Sequence, residues 1–265
     1  MIRETLIEKR IGANNSFRWR GIEISRIEGL SDAVFGFAIT LLVVSLEVPK
    51  TFNELASAMS GFGAFAISFG LLFLVWYNQH KFFRRYGLQD TVTIVLNAVL
   101  LFVVLFYVYP LKFLFTFLVN RFTGGHGEIR LANGNIESML ENDSQMGTLM
   151  LIFGAGYLAI FAVFVLLYLH AYRRRQQLEL TELERFDTVS SIQESGINCL
   201  IALLSIALVW FGGYRYSGWA GMAYMLTGFA MAAHGFVMGS RRREIEKRIN
   251  SQGSETVYEP ELQQS

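Results

Sequence analysis

Apolar residues along the chain gather into six long stretches, roughly Leu30–Val48, Leu55–Tyr77, Val92–Val119, Gly147–Tyr168, Ile197–Phe211 and Gly218–Met238. A helix crosses a bilayer with about 20 such residues, so the pattern predicts an all-α integral membrane protein with six transmembrane helices. The first stretch differs from a simple anchor. Between Leu30 and Val48 the only side chains that are neither apolar nor glycine are Ser31, Asp32, Thr40, Ser45 and Glu47. Polar groups at membrane depth require partners or water. At helical spacing Phe37, Thr40, Leu41 and Val44 share one face, which places a single hydroxyl among three apolar side chains. Such a stripe suits a narrow pore. It equally suits ordinary packing, since a threonine in a spanning helix commonly bonds a carbonyl one turn back.

The segments between the stretches set domain boundaries and orientation. Residues 1–20 read as a cytoplasmic N-terminal arm, residues 21–248 as the six-helix transmembrane domain, and residues 249–265 as a mobile cytoplasmic tail rich in Gln, Ser and Glu. No cleavable leader is expected, because residues 1–29 are mixed and charged. The segment 120–145 contains Gly124, Gly125, Gly127 and Gly134 and has no sustained period, so it is expected to be a flexible external loop. Basic residues alternate in density from loop to loop. They crowd before Arg26, at Lys81, Arg84 and Arg85, at Arg173, Arg174, Arg175 and Arg185, and at Arg241, Arg242, Arg243, Lys247 and Arg248. Only Lys50, Lys112, Arg121, Arg130 and Arg215 fall on the other side. The excess marks the cytoplasm, which puts both termini inside and requires an even number of crossings.

Composition agrees: 52% of the 265 residues are hydrophobic and only three are proline. The net charge of +1 gives no reason to expect nucleic-acid binding. Cys199 is the single cysteine, so neither an intramolecular disulfide nor a cysteine-rich metal site is possible. His80, His170 and His234 have no ligand spacing, and no cofactor is expected. These features weigh against a membrane enzyme. The chain also lacks the internal repeats expected of many secondary transporters. Toward the inner side of the first three helices the topology collects Arg26, Ser31 and Asp32, then Trp76 and His80, then Asn97. They read either as a hydrogen-bonded cluster or as ordinary helix-end residues.

Arg26-x-x-x-Leu30-Ser31-Asp32 followed by Val34-Phe-Gly-Phe-Ala-Ile-Thr-Leu-Leu42 resembles the signature and first helix of the transmembrane protein 175 family of potassium channels, in its prokaryotic form. Trp76-x-x-x-His80, Leu96-Asn97 and Pro110 at the end of the third apolar core are similar to that family's second and third helices. The resemblance covers about residues 20–112. It implies a homotetramer in the cell membrane whose first helices surround a potassium path, without the Thr-Val-Gly-Tyr-Gly loop of ordinary potassium channels. Carried over by position, Phe37, Leu41 and Val44 would form a hydrophobic gate and Thr40 the selectivity ring. Arg26, Ser31, Asp32, Trp76, His80 and Asn97 would support the pore helix. The implied partners are potassium ions, membrane lipid and further copies of the chain. Two positions depart from the family pattern: Leu30 stands where Phe is usual, and Phe37 where an aliphatic residue is usual. Within channels, a proton or non-selective cation leak is the alternative, and outside them a secondary transporter.

Overall fold

The computed structural model describes residues 17–44, 51–52, 55, 59, 61–123, 127–130 and 136–258. The expected arm up to residue 16, the end of the first stretch at Ser45–Val48, and the tail from residue 259 lie outside the described residues, as do Gly124, Gly125 and Gly134. The chain forms α1 (Arg26–Val44), α2 (Phe62–Tyr86), α3 (Thr91–Phe122), α4 (Asp143–Arg173), α5 (Glu182–Gly212), α6 (Ser217–Ala223) and α7 (Leu226–Tyr258). Among the described residues, α2, α3, α4, α5 and the segment Tyr214–Ile249 are each long and apolar enough to cross a membrane. The protein is therefore multi-pass and almost wholly helical. Helix α1 has 19 residues and carries Arg26, Glu28 and Asp32 within that length.

The bundle is built around α3, whose Leu100, Val104, Val108 and Leu111 are fully enclosed. Helix α1 packs on α2 and α3, α4 packs on α3, and α5 pairs along α4. Outward faces carry large apolar side chains such as Phe102, Phe106, Phe229 and Phe236, which suits lipid rather than water as the surrounding solvent. Trp210, Phe211, Tyr214, Tyr216 and Trp219 cluster where α5 turns back, the aromatic composition of a membrane interface.

Three local features differ from the sequence expectation. Pro110 does not end α3; it sits inside a helix that continues to Phe122, because neighbouring packing can compensate the one bond that proline removes. The segment 120–145 is not wholly irregular, since Glu128–Arg130 and Ile136–Ser138 pair as an antiparallel ribbon. The last stretch is broken. Tyr224, Met225 and Thr227 donate backbone bonds to Gly221, Met222 and Tyr224, tight three-residue spacings that separate α6 from α7. The Ser205 hydroxyl of α5 donates to the Ala220 carbonyl of α6 at 2.9 Å, tying the short helix before the break to its neighbour.

Residues 17–21 run as a strap across the basic end of the bundle. Phe17 is buried edge-on against Tyr86, with the Arg85 guanidinium 4.7 Å above its ring. Arg20 pairs with the enclosed Glu184 at 2.7 Å, and Glu184 also accepts the backbone amide of Arg18 at 2.9 Å. Gly21 passes so close to α2 that a Cβ there would lie 2.5 Å from the Phe83 carbonyl oxygen, which only glycine permits. Glu184 is held in turn by a capping box with Thr181.

At the same end, Asp90 precedes α3 and accepts from the Thr93 hydroxyl at 2.7 Å, with His170 at 2.9 Å and Arg174 at 3.5 Å on its other oxygen. Partial burial opposes ionisation of Asp90, but the Thr93 hydroxyl, His170 and Arg174 outweigh it and hold the carboxyl below its ordinary value. A lowered carboxyl favours the folded state above the unfolded value and loses that contribution as pH falls through the folded one. Asp90→Asn should therefore lower the thermal midpoint at neutral pH, by an amount equivalent to about 1 kcal/mol. The difference from wild type should shrink as pH falls through the folded-state value of Asp90, where the wild-type carboxyl also becomes uncharged. Melting curves across pH check this.

Candidate functional site

Helix α1 begins at a capping box that the apolar pattern does not reveal. The Ser25 hydroxyl accepts the Glu28 amide at 3.2 Å, and the Glu28 carboxylate accepts the Ser25 amide at 2.8 Å. From there the helix has two opposed faces. Ser31, Phe35, Ala38 and Leu42 recur at helical spacing and are enclosed by α2 and α3. Ala33, Phe37 and Thr40 lie on the far side and are exposed, Phe37 by 58%. Gly29 and Gly36 also face open space. At about 100° per residue Val44 falls on this same face, although its side chain lies outside the described residues. Leu41 falls about 40° past Phe37, away from Thr40, and packs partly into the core. Phe37 and Thr40 thus form an open stripe with Leu41 at its flank.

The Thr40 hydroxyl donates to the Phe37 carbonyl at 2.7 Å. With its proton held inward, the oxygen keeps lone pairs directed off the helix, so the stripe presents an acceptor among apolar groups.

The six supporting candidates divide into two short chains and one outlier. Gln79 donates to the Asn97 oxygen at 2.9 Å, Asn97 donates to the Ser31 hydroxyl at 2.9 Å, and Ser31 donates to the Ile27 carbonyl at 2.8 Å. All three side chains are enclosed, so each group needs the next. Beside them the Trp76 indole donates to Asp32 at 2.8 Å, and His80 stacks on Trp76 with ring centres 5.4 Å apart. Arg26 is exposed and makes no hydrogen bond or ion pair among the described residues. The network therefore ties α1 to α2 and α3 through Ser31 and Asp32, not through Arg26.

Sequence reasoning missed Gln79 and Lys112. Gln79 lies three residues after Trp76, on a neighbouring position of the same apolar helix, a signal that was available. Lys112 donates to the Leu42 carbonyl at 2.8 Å, satisfying one of the last carbonyls of α1. Both residues clamp α1, one near each end.

Asn97→Leu should lower the thermal midpoint by the equivalent of about 1–2 kcal/mol, because it strands the buried Gln79 amide. Pairing it with Gln79→Leu should recover part of the loss, since removing both partners leaves no orphan. Melting curves of the two variants, with no recovery in the double, would contradict the chain of bonds.

Comparison with known proteins bears on the same region. The family described as endosomal/lysosomal potassium channel TMEM175 matches residues 26–107, which run from the start of α1 well into α3. A potassium channel of Marivirga tractuosa is 40% identical over 243 residues, spanning 91% of this chain and 98% of that protein. A potassium channel of Chamaesiphon minutus is 33% identical over 106 residues, 37% of this chain and 52% of its own. Among solved structures, a variant of the potassium channel MtTMEM175 bound to a nanobody–MBP fusion superposes with a TM-score of 0.75 at 40% identity, covering 87% of this chain and all of that one. A lysosomal potassium-selective channel TMEM175 homologue from Chamaesiphon minutus shares the fold with a TM-score of 0.51 at 24% identity. The long match to the Marivirga protein, through every helix that positions the open stripe of α1, makes this chain a member of the TMEM175 family of potassium channels.

Proposed function

We propose that the protein is a potassium-preferring cation channel of the cell membrane, in which four subunits bring their α1 helices together around a central path. The observation that carries this reading is the division of α1 into an enclosed face and an open one. Ser31, Phe35, Ala38 and Leu42 are committed to the subunit core, whereas Phe37 and Thr40 are exposed, with no neighbour packed over them among the described residues. A second copy of the same helix is the natural occupant, and cyclic symmetry makes the stripe a lining. Each subunit crosses six times with α1 as the first crossing. The strap, the Asp90 cluster and Arg84, Arg85, Arg173 and Arg174 meet at one end, which supports cytoplasmic termini.

In this arrangement Phe37, with Leu41 and Val44, forms rings that exclude water when the pore is narrow, and Thr40 forms a collar of hydroxyl oxygens. A dry constriction gates by wetting and drying, and a hydroxyl ring offsets part of the hydration an ion gives up. The Ser31–Asn97–Gln79 and Asp32–Trp76 bonds hold each α1 in register. Purified protein in liposomes is expected to pass potassium or rubidium down a gradient without ATP or a co-ion. Stoichiometric coupling to a second ion would make it a transporter, and equal passage of sodium a non-selective leak.

A further inference from the structure

Away from α1, a cavity of about 280 Å³ lies between α2, α3, α4, α5 and α7. Its walls run along α4 from Phe153 to Tyr168, about 22 Å at the rise of a helix, so it is a long slot rather than a globular pocket. Most of the wall is aliphatic and aromatic, including Leu72 and Phe164. Polar side chains interrupt it at Asn78, Glu194, Ser195, Asn198 and Thr227.

Two of these groups, Glu194 and Thr227, are not fully engaged within the fold. The Glu194 side chain is 47% exposed, its carboxylate accepts no hydrogen bond among the described residues, and the nearest cation-forming atom, His234 Nδ1, stands 3.9 Å away. The Thr227 hydroxyl is buried and unpartnered. Asn198, also in the lining, is already satisfied, accepting from Tyr157 at 2.6 Å and donating to the Glu194 backbone carbonyl at 2.8 Å. An apolar slot with a half-exposed carboxylate that accepts no hydrogen bond among the described residues suits a ligand with an alkyl body and a hydrogen-bonding cation.

We propose that this slot binds a long-chain primary amine, its alkyl chain between α2 and α4 and its ammonium against Glu194. A fatty acid of equal length would set like charge against Glu194, and an alcohol would bring it no charge at all. The site stands apart from the conduction path, so its occupancy can be measured without ion flux.

The test uses the full chain in phosphatidylcholine nanodiscs and a dodecylamine carrying a mid-chain diazirine. Irradiation should label peptides of α2 and α4 that line the slot, and a tenfold excess of plain dodecylamine should reduce the label at least fivefold, while dodecanoate and dodecanol should not. Glu194→Gln, nearly the same size, should lower labelling about as much. Equal competition by all three amphiphiles, label spread over the outward faces of every helix, or unchanged labelling in Glu194→Gln overturns the proposal. The head-group comparison on the unaltered protein decides it even if the variant folds poorly.

Discussion

Replacing Phe37 by alanine is expected to raise potassium or rubidium flux through liposome-embedded protein by roughly tenfold, with a smaller rise for Phe37→Leu. The ring is the largest apolar group on the open face of α1, more than half exposed in the subunit. Four such rings around an axis would form the driest part of the path. Trimming each to a methyl group widens and wets it, and a barrier lowered by about 1.4 kcal/mol already corresponds to a tenfold rate. Folding should be little affected, because the enclosed side of the helix, Phe35, Ala38 and Leu42, is untouched. Flux indistinguishable from wild type in Phe37→Ala would remove this residue from the narrowest point.

Thr40→Ala should leave flux measurable but lower potassium preference over sodium by about fivefold, the ratio that a differential near 1 kcal/mol produces. The Thr40 proton is occupied by the Phe37 carbonyl, so what faces outward is oxygen. A collar of neutral oxygens offsets the smaller dehydration cost of potassium more completely than the larger one of sodium. Thr40→Ser keeps that oxygen and should keep the preference, whereas Thr40→Val keeps the shape and should lose it. Reversal potentials under mixed ionic gradients separate these outcomes. Selectivity unaltered in both Thr40→Ala and Thr40→Val would take the hydroxyl out of ion discrimination.

The two substitutions probe neighbouring turns of one helix through different physics. The supporting residues behind α1 should behave otherwise. Asn97 and Gln79 face the subunit interior, so their loss registers first in thermal stability and only then in conduction.

The chain of residues alone determined the class of this protein and the place of its most informative helix. Membrane-length apolar stretches follow from composition, because a bilayer penalises every exposed polar group and leaves little choice but helices. The stripe of Phe37 and Thr40 was legible because helical periodicity is a local property, and Ser31, Asp32, Trp76 and Asn97 stood out as polar types in apolar surroundings. What the periodicity could not state is which face of α1 is covered, because that depends on α2 and α3 brought in from residues 62–122. Tertiary packing alone moved Leu41 to the flank, joined Gln79 to Asn97 and Ser31, left Arg26 outside that network, carried α3 through Pro110, and folded Phe17 and Arg20 down onto Tyr86 and Glu184. Each of those outcomes is a contact between residues distant in sequence, whose energy exists only once the helices have met.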